Sequence, residues 1–502
     1  MTIQVQEENL RAIFGLKLRQ YRESKELSTQ ELAEKAGVSA SYINEIEKGK
    51  KYPKADKIMS LAAALEVEYD EMVSLKLGKK LGQLSDLLKS NAFHEMPLEL
   101  FGIKTSDLIG LMGDDPAKFS ALIQTLLEVA RNYDLRVEHF LLAALRSYQE
   151  LHKNYFDDLE EEAQTFREKH GWSKVPTISH DKLKQLLTEE HGYQIFESGF
   201  KEYPELKGFR SVFVPGPQNK LFINKHLLPS QKAFVLGREL GFVILDLKER
   251  ALTSSWIKAE SFDQVLNNFR ASYFSGAMLI NCYTLVRKLQ AFFNKTSWNP
   301  EELISIMDFF DATPETFMHR LTQILPHYFG LDQLFFLRFH NSPGTHKYRL
   351  SKEMHLSQLH NPHRVNQSEH YCRRWVTLTL LQNLAQTDNH NANSTPLIDT
   401  QRSHFYGTEN EYLCISMARP LALSTNTNSC VTLGLLYDDA LHKNIKFAND
   451  PSFEKRIVNE SCERCPITDC HERVADPKIN NEQTKLKKRE TVLNRFLDDH
   501  SE

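Results

Sequence analysis

The most restrictive stretch of this chain runs from Ser28 to Lys48, where two helix-start signals flank a forced turn. Ser28 precedes a helical pattern as an N-cap, and Glu31 sits three residues on, in the reciprocal position of a capping box. Leu32, Ala33 and Ala36 then share one face, Gly37 stops the helix, and Ser39 caps the next. Ala36 is small enough for two helices to cross closely, Gly37 accepts the left-handed backbone a tight turn needs, and Val38 plugs the corner. The expected result is helix, turn, helix. Upstream, Leu10, Phe14, Leu18 and Tyr21 line one face of a first helix, and downstream Ile58, Leu61, Ala62, Leu65, Val67 and Met72 close a small core. Residues 8–75 thus read as five short helices.

The helix that starts at Ala40 buries Ile43 and Ile46 and turns Ser41, Tyr42, Asn44, Glu45 and Lys48 outward. Reading base edges in a major groove requires such donors and acceptors near a helix N-terminus, and Gln30, at the start of the preceding helix, is placed to hold a phosphate. Lys48, Lys50, Lys51, Lys54 and Lys57 face a single Asp56 and form a phosphate-binding patch. The candidate DNA-binding set is Gln30, Ser39, Ser41, Tyr42, Asn44, Lys48, Lys50 and Lys51. The patch has to be local, because a formal charge of −4 excludes a uniformly basic coat. This segment resembles the Cro/C1-type (Xre family) helix-turn-helix, from the first helix through Glu45-Ile46-Glu47-Lys48-Gly49-Lys50-Lys51-Tyr52-Pro53 to Leu65-Glu66-Val67. The resemblance implies a double-stranded DNA operator as partner, bound by a homodimer over half-sites about one DNA turn apart. The competing reading is a small helical bundle used for protein contacts.

A chain of 502 residues implies about two to four domains, and 41% apolar with 25% charged residues excludes global disorder. No run approaches the roughly 18 apolar residues of a membrane span, and the first residues lack a signal-peptide layout, so a cytoplasmic protein with no membrane partner is expected. Residues 76–170 are dense in helix formers, with a wide apolar pattern from Phe119 to Tyr148 broken at Asn132-Tyr133-Asp134. They read as a helical connector that couples domains and dimerises.

Residues 171–340 suggest a helix over 181–192, strands over 209–215 and 221–225, and a long apolar helix containing Leu236-Gly237-Arg238-Glu239-Leu240-Gly241-Phe242. Zinc peptidases follow this order, but their His-Glu-x-x-His helix supplies two imidazoles for the metal and a Glu that takes a proton from bound water. The segment resembles the IrrE/ImmA-type metallopeptidase domain, with Arg238 and Phe242 at the imidazole positions and no carboxylate near Asn268 for the third ligand. It reads as an α+β zincin-like scaffold without zinc ligands and without catalytic residues. An Arg238–Glu239 ion pair is the expected substitute. A helix-turn-helix-linked peptidase that cleaves a partner repressor is the enzymatic alternative.

Residues 341–480 suggest strands over 412–417 and 431–437 around a hairpin-like Ser424-Thr425-Asn426-Thr427-Asn428-Ser429, within an α+β ligand-binding domain. Near its end, Cys462 and Cys465 are spaced to grip one metal, and Cys470 can return to the same centre after the turn favoured by Pro466 and Asp469. Tetrahedral zinc and an iron–sulfur cluster both need a fourth ligand, which Cys430, Cys372, Cys414 or His471 could supply. Cys430, at the start of the strand region ahead of the motif, is the working choice. Residues 481–502 read as a basic amphipathic tail, with Lys485-Leu486-Lys487-Lys488-Arg489 and then Val492, Leu493, Phe496 and Leu497.

Taken together, these segments resemble the short-chain fatty acyl-coenzyme A responsive transcriptional regulators, whose Cys-x-x-Cys-x-x-x-x-Cys and following basic residue match Cys462, Cys465, Cys470 and Arg473. A Cys-Pro-Leu-Trp stretch of that family falls near Cys372–Trp375, whereas its Gly-Leu-Gly-Cys is replaced by Gly434-Leu435-Leu436-Tyr437, which leaves the fourth ligand and the metal open. The resemblance implies an acyl-CoA or CoA effector and an iron–sulfur cluster, with zinc as the alternative. The expected protein is a multidomain, cytoplasmic, ligand-responsive regulator, and a redox or metal sensor using the cysteine centre is the rival.

Overall fold

The computed structural model describes residues 7–74, 137–198, 200, 202–253, 261–356, 369–387 and 391–500. The chain divides into two compact units, Met1–Tyr148 with Lys258–Val265, and Gln149–Ile257 with Leu266–Glu502.

The stretch read as five helices contains α1 (Glu7–Ser24), α2 (Thr29–Ala36), α3 (Ala40–Glu47), α4 (Ala55–Leu65) and α5 (Tyr69–Val73). Each start follows from the local sequence. The Ser28 hydroxyl accepts from the Glu31 N–H while the Glu31 carboxylate accepts from the Ser28 N–H, so both halves of the capping box form. Gly37 takes φ 64°, ψ 40° and ends α2, and the Ser39 hydroxyl caps α3 through the Tyr42 N–H. Phe14, Leu18, Leu32, Ile43, Ile46, Ile58, Leu61, Leu65 and Met72 pack into one core. Where α1 crosses α3, a Cβ on Gly15 would lie 2.3 Å from the Ile46 carbonyl oxygen, so only glycine permits the approach. Buried Lys17 donates from Nζ to the Glu71 carbonyl, the Ser74 carbonyl and the Ser74 hydroxyl at 2.5, 2.7 and 2.8 Å.

The apolar hairpin expected over 119–148 lies mostly outside the described residues, and from it only α6 (Val137–Leu151) is described. The second unit continues with α7 (Asp157–Lys169), α8 (His180–Glu189), β1 (Gln194–Ser198), β2 (Ser211–Val214), β3 (Lys220–Asn224), α9 (Pro229–Ile244), α10 (Phe262–Leu279), α11 (Cys282–Phe293), α12 (Pro300–Phe309) and α13 (Pro314–Phe329). The three strands run in the order β1-β3-β2, with β1 parallel and β2 antiparallel to β3. Residues 157–169, expected in the connector, are tied into this part. The buried Glu160 carboxylate accepts from Arg320 Nη1 and Nη2 at 2.5 and 2.7 Å and from the Tyr273 hydroxyl at 2.8 Å.

A six-stranded sheet follows, built from β4 (Leu334–Asn341), β5 (Tyr348–His355), β6 (Leu397–Phe405), β7 (Glu411–Leu421), β8 (Ser424–Leu436) and β9 (Glu454–Val458) in the order β5-β4-β8-β7-β6-β9. Every neighbouring pair is antiparallel except β6–β9. One sheet face carries Phe335, Leu337, Phe339, Cys414, Ala418 and Cys430 against α14 (Val376–Ala385). The opposite face meets α13, where Phe336 lies edge-on to His319. Two expectations change here. Strand β4 straddles residue 340, the expected domain boundary, and belongs to the C-terminal sheet. The polar Ser424–Ser429 run is not a hairpin loop: it opens β8, pairing with Leu421, Pro420 and Arg419 of β7, because the β4 and β7 backbones flank it on both sides.

After α15 (Asp439–Asn444), the chain ends in α16 (Lys478–Asp499), a helix with no buried residue over the span read as a basic tail. Among the described residues, no helix is long and apolar enough to cross a membrane.

Candidate DNA interface and cysteine pocket

Helix α3 keeps Ile43 and Ile46 fully buried and leaves Ser41 and Asn44 exposed, with Tyr42 half-buried. Gln30, Lys48 and Lys50 are exposed near it. Two expected contacts are partly spent inside the protein. The Ser39 hydroxyl accepts the Tyr42 N–H at 3.1 Å, so one of its two lone pairs serves the cap and its proton stays available to a phosphate. Lys51 pairs with Glu45 at 2.7 Å and lies 5.9 Å from the Tyr42 ring, so the basic patch is carried by Lys48 and Lys50 more than by Lys51. The pose of α3 is fixed from behind. Arg22 on α1 grips Glu47 through Nε and Nη2 at 2.7 and 2.9 Å and donates to the Leu27 carbonyl at 2.9 Å. The sequence reading missed Arg22, because the pairing crosses from one helix to another.

The α9 helix holds Arg238, Glu239 and Phe242 in its buried stretch. Arg238 approaches Glu239 only to 3.7 Å, while Arg250 Nη2 donates to both Glu239 carboxylate oxygens at 2.8 and 2.7 Å. The Arg250 guanidinium is stacked between Phe213 and Phe242, with ring centroids at 3.7 and 4.0 Å. The expected Arg238–Glu239 pair is therefore the weaker of two. Arg250 is the closer partner because it folds back from the loop after α9, which local spacing does not reveal. Two guanidiniums beside one carboxylate make these surroundings cationic, so they repel a metal ion rather than binding one. Among the described residues, Asn268 Oδ1, Arg238 Nε and Arg250 Nε are buried without hydrogen-bond partners.

The cysteine motif is zipped to the segment around residue 370. Tyr371 and Ser461 form an antiparallel bridge, the Cys372 N–H donates to the Glu460 carbonyl at 3.2 Å, and the Cys462 N–H donates to the His370 carbonyl at 2.9 Å. Glu369 receives Arg464 Nε and Nη2 at 2.7 and 2.8 Å and the Ser461 hydroxyl at 2.6 Å, and Trp375 Nε1 donates to the Asn459 carbonyl at 2.9 Å. This zip places Cys372 with Cys462, Cys465 and Cys470 along one small pocket. Arg473 clasps the loop by donating to the carbonyls of Cys462, Ala475, Cys465 and Ile467 at 2.7, 3.2, 2.9 and 2.6 Å.

Cys430 is not part of this lining. It is fully buried in the sheet, opposite Phe339 on β4 and Ala418 on β7, with Thr432 and Ser416 near its thiol. The fourth pocket cysteine is Cys372, which corrects the choice of Cys430, because strand alternation turns Cys430 into the core against α14. Burial pushes the Cys372 thiol up to about 11, with Cys462 and Cys465 adding to the shift. Four thiols, a backbone clasp and a cationic rim have the donor chemistry of a thiolate-held zinc ion or iron–sulfur cluster. As placed, among the described residues, no three His, Cys, Asp or Glu side chains converge closely enough to hold an ion.

Residues 18–72 match the helix-turn-helix family model. The chain carries a helix-turn-helix domain. Residues 188–322 match the model of the IrrE N-terminal-like domain, which places an IrrE-like domain over β1–β3 and helices α9 to α13. Among curated proteins, the HTH-type transcriptional repressor RghR of Bacillus subtilis (strain 168) is 35% identical over 88 residues, 17% of this chain and 62% of that protein. The uncharacterized HTH-type transcriptional regulator RghRB of the same organism is 39% identical over 62 residues, 12% of this chain and 45% of that protein. The chain thus spans less than two thirds of the length of either relative. A solved Mycobacterium tuberculosis transcriptional regulator aligns with a TM-score of 0.46 at 19% identity, covering 66% of this chain and 92% of that one.

Proposed function

We propose that this chain is a sequence-specific DNA-binding transcriptional regulator that acts as a dimer in the cytoplasm and takes its signal in the second unit. The observation that carries the reading is α3, whose Ser41 and Asn44 are exposed while Arg22–Glu47 and Gly15 lock its other side to α1. A reading helix has to be rigid behind and polar in front. The IrrE-like domain serves as scaffold, since Arg238 and Arg250 occupy the surroundings of its single retained carboxylate.

The proposed input is a short-chain acyl-CoA or CoA, with the cysteine pocket as a metal centre. Such an effector regulates only if it binds the DNA-competent and incompetent arrangements with different affinity. Cys372, Cys462, Cys465 and Cys470 would hold the metal, Arg473 would keep their loop in place, and an iron–sulfur cluster there would supply one-electron redox chemistry, while zinc would act as a staple. The presence of four thiols along one pocket favours a second input through redox state.

Two measurements test this reading. In binding titrations with an operator fragment and random DNA, Asn44→Ala should lose about 1–3 kcal/mol on the operator alone, while Lys50→Ala should weaken both DNAs alike and reduce the salt slope by about 1. Equal losses of Asn44→Ala on both DNAs would contradict base reading by α3. Metal analysis after anaerobic purification should find stoichiometric iron or zinc in the wild type and in Cys430→Ser, and little in Cys372→Ser. Full loading of Cys372→Ser would remove Cys372 from the site.

A further inference from the structure

We propose that the cationic row on the sheet face turned toward α13 binds a compact, multiply charged anion of the phosphate class. On β4, Arg338 and His340 stand two residues apart and share that face with Phe336. Register carries the row across the sheet. Lys352 of β5 lies opposite Arg338, and Arg419 of β7 joins His340 through Ser429 of β8. From the other wall, Glu315 in the first turn of α13 accepts from Arg338 Nη1 and from Arg210 Nη2, the latter at 3.2 Å. His319 lies one helical turn further along, and all seven residues are half-buried.

The charges do not balance. Four cations (Arg210, Arg338, Lys352 and Arg419) face one carboxylate, and burial above all keeps the two imidazoles neutral, His340 down to about 4 and His319 well below its ordinary value. Among the described residues, Lys352 Nζ and the Arg419 guanidinium have no hydrogen-bond or ion-pair partner. Burial pulls Lys352 down to about 8, with Glu315 opposing and Arg338 and Arg210 adding to it. Burial likewise lowers Arg419 to about 10. Holding unpartnered, partly buried cations destabilises a fold, and a ligand of opposite charge removes that penalty. One monoanion cannot neutralise the excess, whereas phosphate or pyrophosphate oxygens accept from several guanidinium and ammonium donors at once.

This inference deepens the effector half of the proposed function, but it is read without DNA. Free phosphates and a phosphoanhydride-bearing metabolite share the chemistry, so the test uses both. Calorimetry on the full-length protein at low ionic strength, with pyrophosphate and separately with coenzyme A, should give saturable binding of at least one. Lys352→Gln and Arg419→Gln should each weaken it at least tenfold, and Lys485→Gln, on exposed α16, should leave it unchanged. Pyrophosphate binding alone would assign the cationic row to free anions, and tighter coenzyme A binding would assign it to the metabolite. Because neither cation has a partner among the described residues, the ligand-free melting temperature of either variant should stay level or rise, which separates loss of the site from loss of the fold. Absence of binding by both probes at millimolar concentration, or equal binding by all four proteins, would overturn the proposal. The DNA reading would survive that failure, since its titrations use no anion.

Discussion

Glu160→Ala should destabilise the second unit by about 3–5 kcal/mol, because it leaves Arg320 buried without its counter-charge. Arg320 is 1% exposed, and its guanidinium spends Nη1 and Nη2 on Glu160, with Nε on the Ile280 carbonyl and a further contact to Gln323. The pair joins α7 to α13, so its loss also loosens the helix that carries Glu315. Burial by itself would raise the Glu160 carboxyl, but Arg320, aided by Tyr273, outweighs it and holds the group below its ordinary value. The sign follows directly. The contribution is complete above the ordinary carboxylate pKa and is lost as pH falls through the depressed folded value. Denaturant unfolding followed by tryptophan fluorescence checks the prediction, read on the transition of this unit alone since a chain of two units need not unfold in one step. The double variant Glu160→Leu/Arg320→Met should recover most of the loss, as apolar replacement of a buried pair often does. A loss under 1 kcal/mol for Glu160→Ala would show that the pair is not what joins these helices.

Gly15→Val should abolish DNA binding while leaving the second unit intact. Even a methyl group at residue 15 meets the Ile46 carbonyl at 2.3 Å and the Glu47 carbonyl at 3.1 Å, both backbone atoms that cannot rotate away. Valine forces α1 off α3, with a cost of about 1–3 kcal/mol or more from overpacking and the loss of the Arg22–Glu47 clasp as α3 tilts. Electrophoretic shift with any DNA that the wild type binds should show no complex at a hundredfold higher protein concentration. Retained affinity would mean that α3 does not need its seat on α1.

How legible each part was depends on how far apart its partners lie in the chain. The helices and turn of the helix-turn-helix were readable because capping and turn signals act within four residues, as at Ser28–Glu31 and at Gly37, whereas the Arg22–Glu47 clasp spans 25 residues. The six-stranded sheet was not. Strand β5 mixes Arg349, Lys352 and Glu353 among its apolar residues, and β9 joins β6 in parallel after a long excursion, so neither shows a clean alternation. The same distance hid the fourth pocket cysteine: His370 and Glu463, which close the zip beside Cys372, are 93 residues apart. The one local sign was the Cys372–Trp375 stretch itself, where Trp375 is buried and fixed to Asn459. Arg250 left no sign at all, since nothing near residue 250 indicates that its guanidinium would stack between Phe213 and Phe242.

Sequence reading by α3 underlies the whole proposed function. Selection of bound fragments from sheared genomic DNA by the full-length protein, in parallel with Asn44→Ala, tests it most directly. A discrete enriched motif of two half-sites about one helical turn apart is expected, sharp for the wild type and blurred within each half-site for the variant. Enrichment no greater than that of a Gly15→Val control, or one motif shared unchanged by the wild type and Asn44→Ala, would contradict it.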